Sequence, residues 1–326
     1  MSDFSDIYKL RQVKLHQITF TIIYIRKYMA YLYPLMAVFI WAGNQVVNKL
    51  SVGAIEPEVI SFYRWFLALI LLTPFFLKGI IKNLQQIYPQ ALKLMVLSLL
   101  GMALYQCLAY YAAATISVLT MGIIMSIIPL LTILLSIFIL KTPPTQGVLI
   151  GSILSFIGLI WLISGGEPIR LLELGIGQGE ILMLMAAFSY ALYGVLTKKW
   201  TMKITNWHSV YVQILFGTLM LLPGFLMSNN LTVNSDNVWL VLYAGIPASI
   251  IAPFVWIIAI KKLGANKTAL FLNLTPVITA IISILFLHET LCSYHLIGGG
   301  MSFIGVILAQ NLKAPLFKMK ASDKDT

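Results

Sequence analysis

Two ten-residue stretches, GSILSFIGLI at 151–160 and GGGMSFIGVI at 298–307, are copies of one segment placed 147 residues apart. Six of the ten paired positions are identical. They are Gly151/Gly298, Ser155/Ser302, Phe156/Phe303, Ile157/Ile304, Gly158/Gly305 and Ile160/Ile307. At the same offset, Pro129 pairs with Pro276. The second half of the chain therefore repeats the first half.

The composition is that of a membrane protein. Of the 326 residues, 60% are hydrophobic and only 10% are charged, whereas a soluble domain carries roughly 25% charged residues. The two cysteines show no disulfide framework and no metal-ligand spacing, and no catalytic group, metal site or cofactor motif is evident. The net charge of +11 is compatible with nucleic-acid binding, but the positions of the cations favour another explanation.

Ten stretches are apolar enough to be transmembrane spans. A helix needs about 20 apolar residues to cross ~30 Å of hydrocarbon, and its backbone groups must be satisfied within the segment. The sequence therefore predicts an all-α membrane protein with ten transmembrane helices. The predicted spans are 29–48, 59–77, 94–113, 116–140, 146–164, 178–197, 208–227, 238–260, 267–287 and 292–312.

The cations predict the orientation of these spans. Nineteen of the 22 Lys and Arg residues fall on one side: five before span 1, ten in the connections after spans 2, 4, 6 and 8, and four in the tail. The positive-inside rule assigns this side to the cytoplasm. We therefore expect a multi-pass protein of the cell inner membrane with both termini cytoplasmic, and no nucleic-acid partner.

An odd number of spans in each repeat implies that the two repeats enter the membrane in opposite senses. The predicted organisation is a cytoplasmic segment 1–28, a first five-helix repeat 29–164, a linker 165–177, a second five-helix repeat 178–312 and a cytoplasmic tail 313–326. Inverted repeats of this kind are typical of transporters with a central site. Segment 1–28 lacks a signal-peptide cleavage pattern, so either it lies on the inner surface or translation starts at Met29.

Four segments resemble the EamA-type, ten-helix members of the drug/metabolite transporter superfamily. They are FIWAGNQVVNKL (39–50), SFYRWFLALILL (61–72), TPVITAIISILFLHETL (275–291) and IGGGMSFIGVIL (297–308). The resemblance implies an inner-membrane carrier, commonly an exporter of amino acids or related metabolites, that works by alternating access around a cavity between its halves. The family often carries Glu in the turn after the fourth helix of each repeat. Here the first repeat has Lys141-Thr142 where the second has His288-Glu289.

Polar and aromatic residues line one face of spans 1 and 6. Trp41 and Asn44 share a helical face with Gln45 and Asn48, and the match of FIWA to FSYA aligns Trp41 with Tyr190 and Asn44 with Tyr193. Polar groups avoid lipid, so these faces are predicted to line a watery cavity. Hydrogen bonding between helices is the alternative explanation.

Span 3 carries Tyr105, Gln106 and Tyr110, which offer aromatic surface and one amide to a polar substrate. Ordinary packing of tyrosine is the alternative. The corresponding part of span 8 has Trp256 but no amide, so the predicted cavity is chemically lopsided.

Each repeat has a proline in the middle of its fourth span, Pro129 and Pro276. Proline removes a backbone donor and interrupts a helix, and paired interrupted helices indicate a midplane substrate site. Both prolines are therefore candidate hinges, with a simple kink as the alternative. Ser126 and Asn273, each three residues before its proline, are predicted to bind substrate.

Arg64 is the one charge well inside a predicted span. It is a candidate ligand for a substrate carboxylate. The alternatives are an arginine that snorkels to the headgroups or caps backbone carbonyls.

The glycines of spans 5 and 10 have GxxxG-like spacing and predict close helix packing. Association with a second copy of the chain, as a homodimer, is the weaker interpretation.

These patterns favour a secondary carrier for a small polar or zwitterionic metabolite, with amino acids first and export as its direction. A membrane enzyme or lipid-handling scaffold is the alternative. It needs a nucleophile–base pair or a metal cluster, and the four scattered histidines do not supply one.

Overall fold

The structure, a computed structural model, describes residues 29–48, 50–116, 121, 124–125, 127–169, 177–278, 281 and 292–314. Segment 1–28, most of the linker, most of the tail, Ser126 and the turn with His288 and Glu289 lie outside the described residues.

The described residues are helical and contain no strand. We number the helical segments in chain order. They are α1 Met29–Asn48, α2 Pro57–Lys82, α3 Leu84–Ala113, α4 Ile128–Leu140, α5 Gln146–Ile163, α6 Gln178–Lys199, α7 Asn206–Leu226, α8 Val238–Leu263, α9 Ala265–Ala269 and α10 Ser293–Asn311.

Six of these helices, α1, α2, α3, α6, α7 and α8, are each long and apolar enough to cross a membrane. α4 is a shorter apolar helix, and so is most of α5. The chain is therefore a multi-pass membrane protein, as predicted, and the arrangement of ten spans as inverted repeats remains a prediction.

Helix α3 begins at Leu84, ten residues before the predicted membrane span 94–113. The first turns of α3 carry polar residues such as Gln85 and Gln86, and Tyr88 is exposed. A helix continues wherever its backbone hydrogen bonds do, whereas hydropathy detects only the apolar part that enters lipid. α2 also extends past its predicted end, to Lys82.

Helices of the first half pack against helices of the second half. The main contacts of this kind join α5 to α10, α2 to α7, and α3 and α4 to α6. One buried cluster takes apolar side chains from both halves, including Val38, Leu97, Met183 and Trp256. The two halves therefore share a core, and a cavity between them is lined from both sides.

The repeated segments 151–160 and 298–307 lie side by side in the contact between α5 and α10. The Ser155 hydroxyl donates to the Ser302 carbonyl over 2.9 Å, and the Ser302 hydroxyl donates to the Ser155 carbonyl over 3.2 Å. On either side of this pair, Gly151 meets Gly305 and Gly158 meets Gly298. The two helices therefore run antiparallel, with a local two-fold relation centred on the serines.

The predicted glycine packing is thus confirmed within a single chain. A Cβ on Gly305 would lie 2.5 Å from the Gly151 carbonyl oxygen, and one on Gly298 would lie 2.5 Å from that of Gly158. These glycines are covered by the chain itself, so they give no support to a homodimer.

Gly305→Ala is expected to destabilise the protein by about 1–3 kcal/mol, because overpacking forces the two backbones apart. Gly300→Ala, in the same helix, is the matched control, since a Cβ there meets nothing within 4 Å. Thermal unfolding of the purified variants in detergent measures the difference. Equal melting temperatures for the two variants would contradict the proposed contact.

Candidate functional site

A cavity lies between the two halves, and helices of both halves form its walls. It surrounds about 780 Å³ of space not filled by protein, counting its open mouth. The lining residues come from α1, α2, α3, α6, α8, the segment after α9 and the residues before α4. They are Trp41, Asn44, Gln45, Asn48, Arg64, Trp65, Gly101, Met102, Tyr105, Gln106, Ala109, Met121, Met125, Met183, Tyr190, Tyr193, Ala248, Pro253, Trp256, Leu272 and Thr275.

An aromatic box forms one part of the lining. The ring of Trp41 lies 5.0 Å from that of Trp256 and 6.0 Å from that of Tyr190, both edge-on. Tyr190 in turn lies 4.7 Å from Tyr105 and 5.7 Å from Tyr193. The Trp41 indole N–H donates to the Ala248 carbonyl over 3.2 Å. Aromatic pairs in these geometries are mutually attractive, so the box presents firm apolar surface to a ligand.

Four amide side chains line the cavity, those of Asn44, Gln45, Asn48 and Gln106. The Asn44 amide N–H donates to Asn48 Oδ1 over 3.1 Å. Within the described part of the chain, Asn44 Oδ1 and Gln106 Oε1 are buried and accept no hydrogen bond. An unsatisfied buried acceptor costs about 1–3 kcal/mol. A bound donor, such as an ammonium group or water, removes this cost.

Arg64 is the one charged side chain that is buried among the described residues, with 1% of its surface exposed. Its Nε donates to Ser249 Oγ over 2.8 Å, and its Nη1 donates to the Tyr110 hydroxyl over 3.4 Å. The guanidinium also lies 5.2 Å from the ring centre of Trp65. Among the described residues the bonding of Arg64 thus differs from that of the snorkelling and carbonyl-capping alternatives. The side chain is bonded to hydroxyl groups inside the protein rather than extended to a membrane surface.

The cavity brings together eight of the residues predicted to bind substrate. They are Trp41, Asn44, Arg64, Tyr105, Gln106, Tyr190, Tyr193 and Trp256. Their predicted contact with a substrate remains a prediction, as does that of Ser126, which lies outside the described residues.

Two predicted residues do not line the cavity. Tyr110 is buried behind Arg64 and contacts the guanidinium. Asn273 is 1% exposed and lies in a 3-10 turn, Leu270–Asn273, with both its amide atoms unpartnered among the described residues. Leu272 and Thr275 line the cavity instead, and the 3-10 turn sets these side chains at a spacing different from that of an α-helix.

Both central prolines stand next to helix interruptions. Pro129 is the second residue of α4, which starts at Ile128 after the turn residue Ile127. Pro276 follows the 3-10 turn by three residues. Proline fits the first turn of a helix because its missing N–H is not needed there. Interrupted helices are thus present at both positions, while their action as hinges remains a prediction.

Sequence patterns missed several lining residues, including Trp65, Gly101 and Met125, and they also missed Ser249 behind Arg64. Ser249 is one of many serines in apolar stretches, so residue type alone gave no signal. Its pairing with Arg64 spans 185 residues of sequence. No group of three or more His, Cys, Asp or Glu that could hold a metal ion occurs within the ranges that the structure describes.

The chain matches one protein family over most of its length. The sequence profile of the EamA-like transporter family matches residues 28–164 and again residues 177–310. A protein named uncharacterized transporter YyaM from Bacillus subtilis is 28% identical over 280 residues, which cover 83% of this chain and 90% of that protein. An uncharacterized transporter from Archaeoglobus fulgidus is 28% identical over 278 residues, covering 84% and 94%.

Two further likenesses are more distant. The protein PecM from Dickeya dadantii is 26% identical over 230 residues, covering 68% of this chain and 74% of PecM. One crystal structure superposes with a TM-score of 0.69 at 17% identity, covering 87% of this chain and 97% of that chain. At this identity the likeness shows a shared fold alone.

Asn273→Leu is expected to leave the melting temperature unchanged or to raise it, because it replaces two unpartnered polar atoms by apolar ones of similar volume. Tyr110→Leu is the contrasting variant, since it removes an acceptor from a buried charge and should cost about 1–3 kcal/mol. Thermal unfolding in detergent tests both. A large loss of stability in Asn273→Leu would show that Asn273 has polar partners.

Proposed function

This chain belongs to the EamA-like transporter family of the drug/metabolite transporter superfamily, and from that premise we propose that its central cavity binds the substrate of a secondary carrier. The observation that carries the proposal is a buried arginine beside an aromatic box in a cavity lined by both halves. Ligand sites are concave and mostly apolar, with a few polar groups that orient the ligand. The cavity has this composition.

The proposed cargo is a small zwitterionic metabolite, an amino acid or a related compound. Arg64 would bind the carboxylate, because a guanidinium offers paired donors that match its two oxygens. Asn44 Oδ1 and Gln106 Oε1, which accept no hydrogen bond in the described part of the chain, would accept from the ammonium group. Trp41, Tyr190 and Trp256 of the aromatic box would pack against the side chain of the substrate.

Alternating access is the proposed mechanism, and ten helices in two inverted repeats are the proposed architecture. The antiparallel contact of α5 with α10 around Ser155 and Ser302 supports the inversion. Exchange between two arrangements of the halves would expose the cavity first to one side and then to the other. Pro129 and Pro276, each beside an interrupted helix, are the proposed hinges.

Export across the inner membrane of the cell is the proposed direction, with both termini in the cytoplasm. The excess of cations on one side of the predicted spans supports this orientation.

The function is tested with proteoliposomes that contain the purified protein. They are loaded with each labelled amino acid in turn and compared with protein-free liposomes. We expect protein-dependent flux for at least one amino acid or a close relative. Protein-dependent flux of none of them would overturn the cargo assignment.

Arg64→Gln is expected to weaken the apparent affinity for the transported amino acid by about 10- to 150-fold, since a hydrogen bond to a charged group contributes about 1.5–3 kcal/mol. Lys78→Gln is the matched control, because it removes one cation from an exposed position of the same helix. Concentration dependence of the flux gives both affinities. Equal affinities in the two variants would show that Arg64 does not bind the substrate.

The predicted orientation places the C-terminus in the cytoplasm. A fluorescent protein fused after residue 326 should therefore be bright in a bacterial host, because the fluorescent protein folds in the cytoplasm. A periplasmic phosphatase fused at the same place should be inactive. Active phosphatase would place the C-terminus outside and contradict the orientation.

A further inference from the structure

α3 and α8 each contain a π-helical stretch at equivalent positions of the two halves. The first is Leu99–Leu104 and the second is Pro247–Ile251. At the 147-residue offset of the repeat, Met102 corresponds to Ser249. π turns are rare and occur frequently at functional sites. A pair of them at one position of both repeats indicates a feature of the cavity rather than an accident of one helix.

Each π stretch accepts a hydrogen bond from one of two consecutive residues of α2. The Trp65 indole N–H donates to the Met102 carbonyl over 3.1 Å. Arg64 Nε donates to Ser249 Oγ over 2.8 Å. The equivalent residues Met102 and Ser249 therefore accept hydrogen bonds from the neighbouring residues Trp65 and Arg64, respectively. Both Arg64 and Trp65 line the cavity, whereas Ser249 does not.

The local chemistry of α8 makes Ser249 an acceptor for Arg64. Pro247 has no N–H, so a regular helical ladder cannot pass through it. The Ser249 hydroxyl donates its one proton to the Ala244 carbonyl over 2.6 Å. Its lone pairs then remain for Arg64 Nε. Ser249 is fully buried, so water does not compete for them.

The guanidinium of Arg64 is thereby bonded to two residues outside the cavity lining. Nε is bonded to Ser249 and Nη1 to Tyr110, and neither partner lines the cavity. Nη2 has no acceptor among the residues that the structure describes. Because Arg64 lines the cavity, these remaining N–H groups are the ones that a ligand of the guanidinium would bind.

We propose that Ser249 is a positioning residue that fixes the guanidinium of Arg64 and so gives the cavity its selectivity for carboxylates over neutral amides. The inference rests on the proposed function in taking the cavity as the substrate site. Ser249 itself does not touch the substrate. Its removal should therefore weaken the discrimination between the two groups rather than the packing of the rest of a ligand.

The experiment observes the arginine Nε–H groups of the full-length protein in detergent by NMR, after labelling with 15N-arginine. The chain has four arginines, Arg11, Arg26, Arg64 and Arg170, and Arg64→Lys identifies the Arg64 signal by its loss. Without any ligand, Ser249→Ala should shift this signal and speed its exchange with water. Ser249→Thr keeps the hydroxyl and should restore the protected signal.

Phenylacetate and phenylacetamide are the probes, because they differ only in the group that Arg64 would recognise. Phenylacetate should shift the Arg64 signal saturably in the wild-type protein. Its affinity should fall about tenfold in Ser249→Ala, because a guanidinium that is no longer fixed loses about one hydrogen bond to the carboxylate, and it should return in Ser249→Thr. Phenylacetamide should bind weakly and equally to all three proteins.

Ser98→Ala is the matched control. The Ser98 hydroxyl is fully buried and donates to the Gln213 carbonyl over 2.5 Å, without contacting Arg64. It should lose stability yet keep the Arg64 signal and the preference for phenylacetate. Unchanged Nε exchange or an unchanged probe preference in Ser249→Ala would overturn the proposal, as would the absence of any phenylacetate response in the wild-type protein.

Flux measured on the same preparations separates this inference from the proposed function. A selective response of Arg64 without transport of any amino acid would overturn the cargo assignment and leave the role of Ser249 intact. The opposite result is transport of an amino acid together with an unchanged carboxylate preference in Ser249→Ala. It would support the proposed function and refute the role of Ser249.

Discussion

A backbone that crosses a membrane finds no water in lipid, so each of its N–H and C=O groups must be satisfied by the protein. This constraint explains why the described residues form helices and no strand. It also limits where a helix can be broken, because a break in contact with lipid leaves polar groups unpaired. Here the π stretches of α3 and α8 and the 3-10 turn after α9 all contribute residues to the cavity or its immediate wall. The breaks in the backbone and the site therefore occur together.

The same constraint applies to the charge of Arg64 and explains why the side chain has hydrogen-bond partners. An arginine at the centre of a membrane helix costs about 2.5–3.5 kcal/mol on insertion scales, and that cost is reduced only by partners or by water. The partners here are the hydroxyls of Ser249 and Tyr110. The cavity on the other side is the place where a substrate anion would complete the shell. A charge that is held by neutral groups, and not neutralised by them, is well suited to bind and release an anion.

The fold is close to symmetric in places, yet the cavity is not. Ser155 and Ser302 exchange equivalent hydrogen bonds, and the π stretches occupy equivalent positions. The equivalent lining residues differ: Gln106 corresponds to Pro253, and Ala109 to Trp256. At these equivalent positions the first half thus contributes an amide and the second half an indole. Backbone packing uses small residues that both repeats retain, whereas recognition of a polar ligand needs different groups at its different ends.

The sequence alone determined the duplication, the apolar helical character and most helix ends, because these depend on residue spacing and hydropathy within a short stretch. It also indicated most of the cavity, since Trp41, Asn44, Gln106 and Tyr190 lie on polar or aromatic faces that lipid would reject. Only the tertiary structure decided that Ser249 supports Arg64, that Tyr110 stands behind it and that Asn273 turns away. Those outcomes depend on a π stretch, on a 3-10 turn and on contacts across as many as 185 residues. A local pattern carries no information about which distant helix will be packed against it.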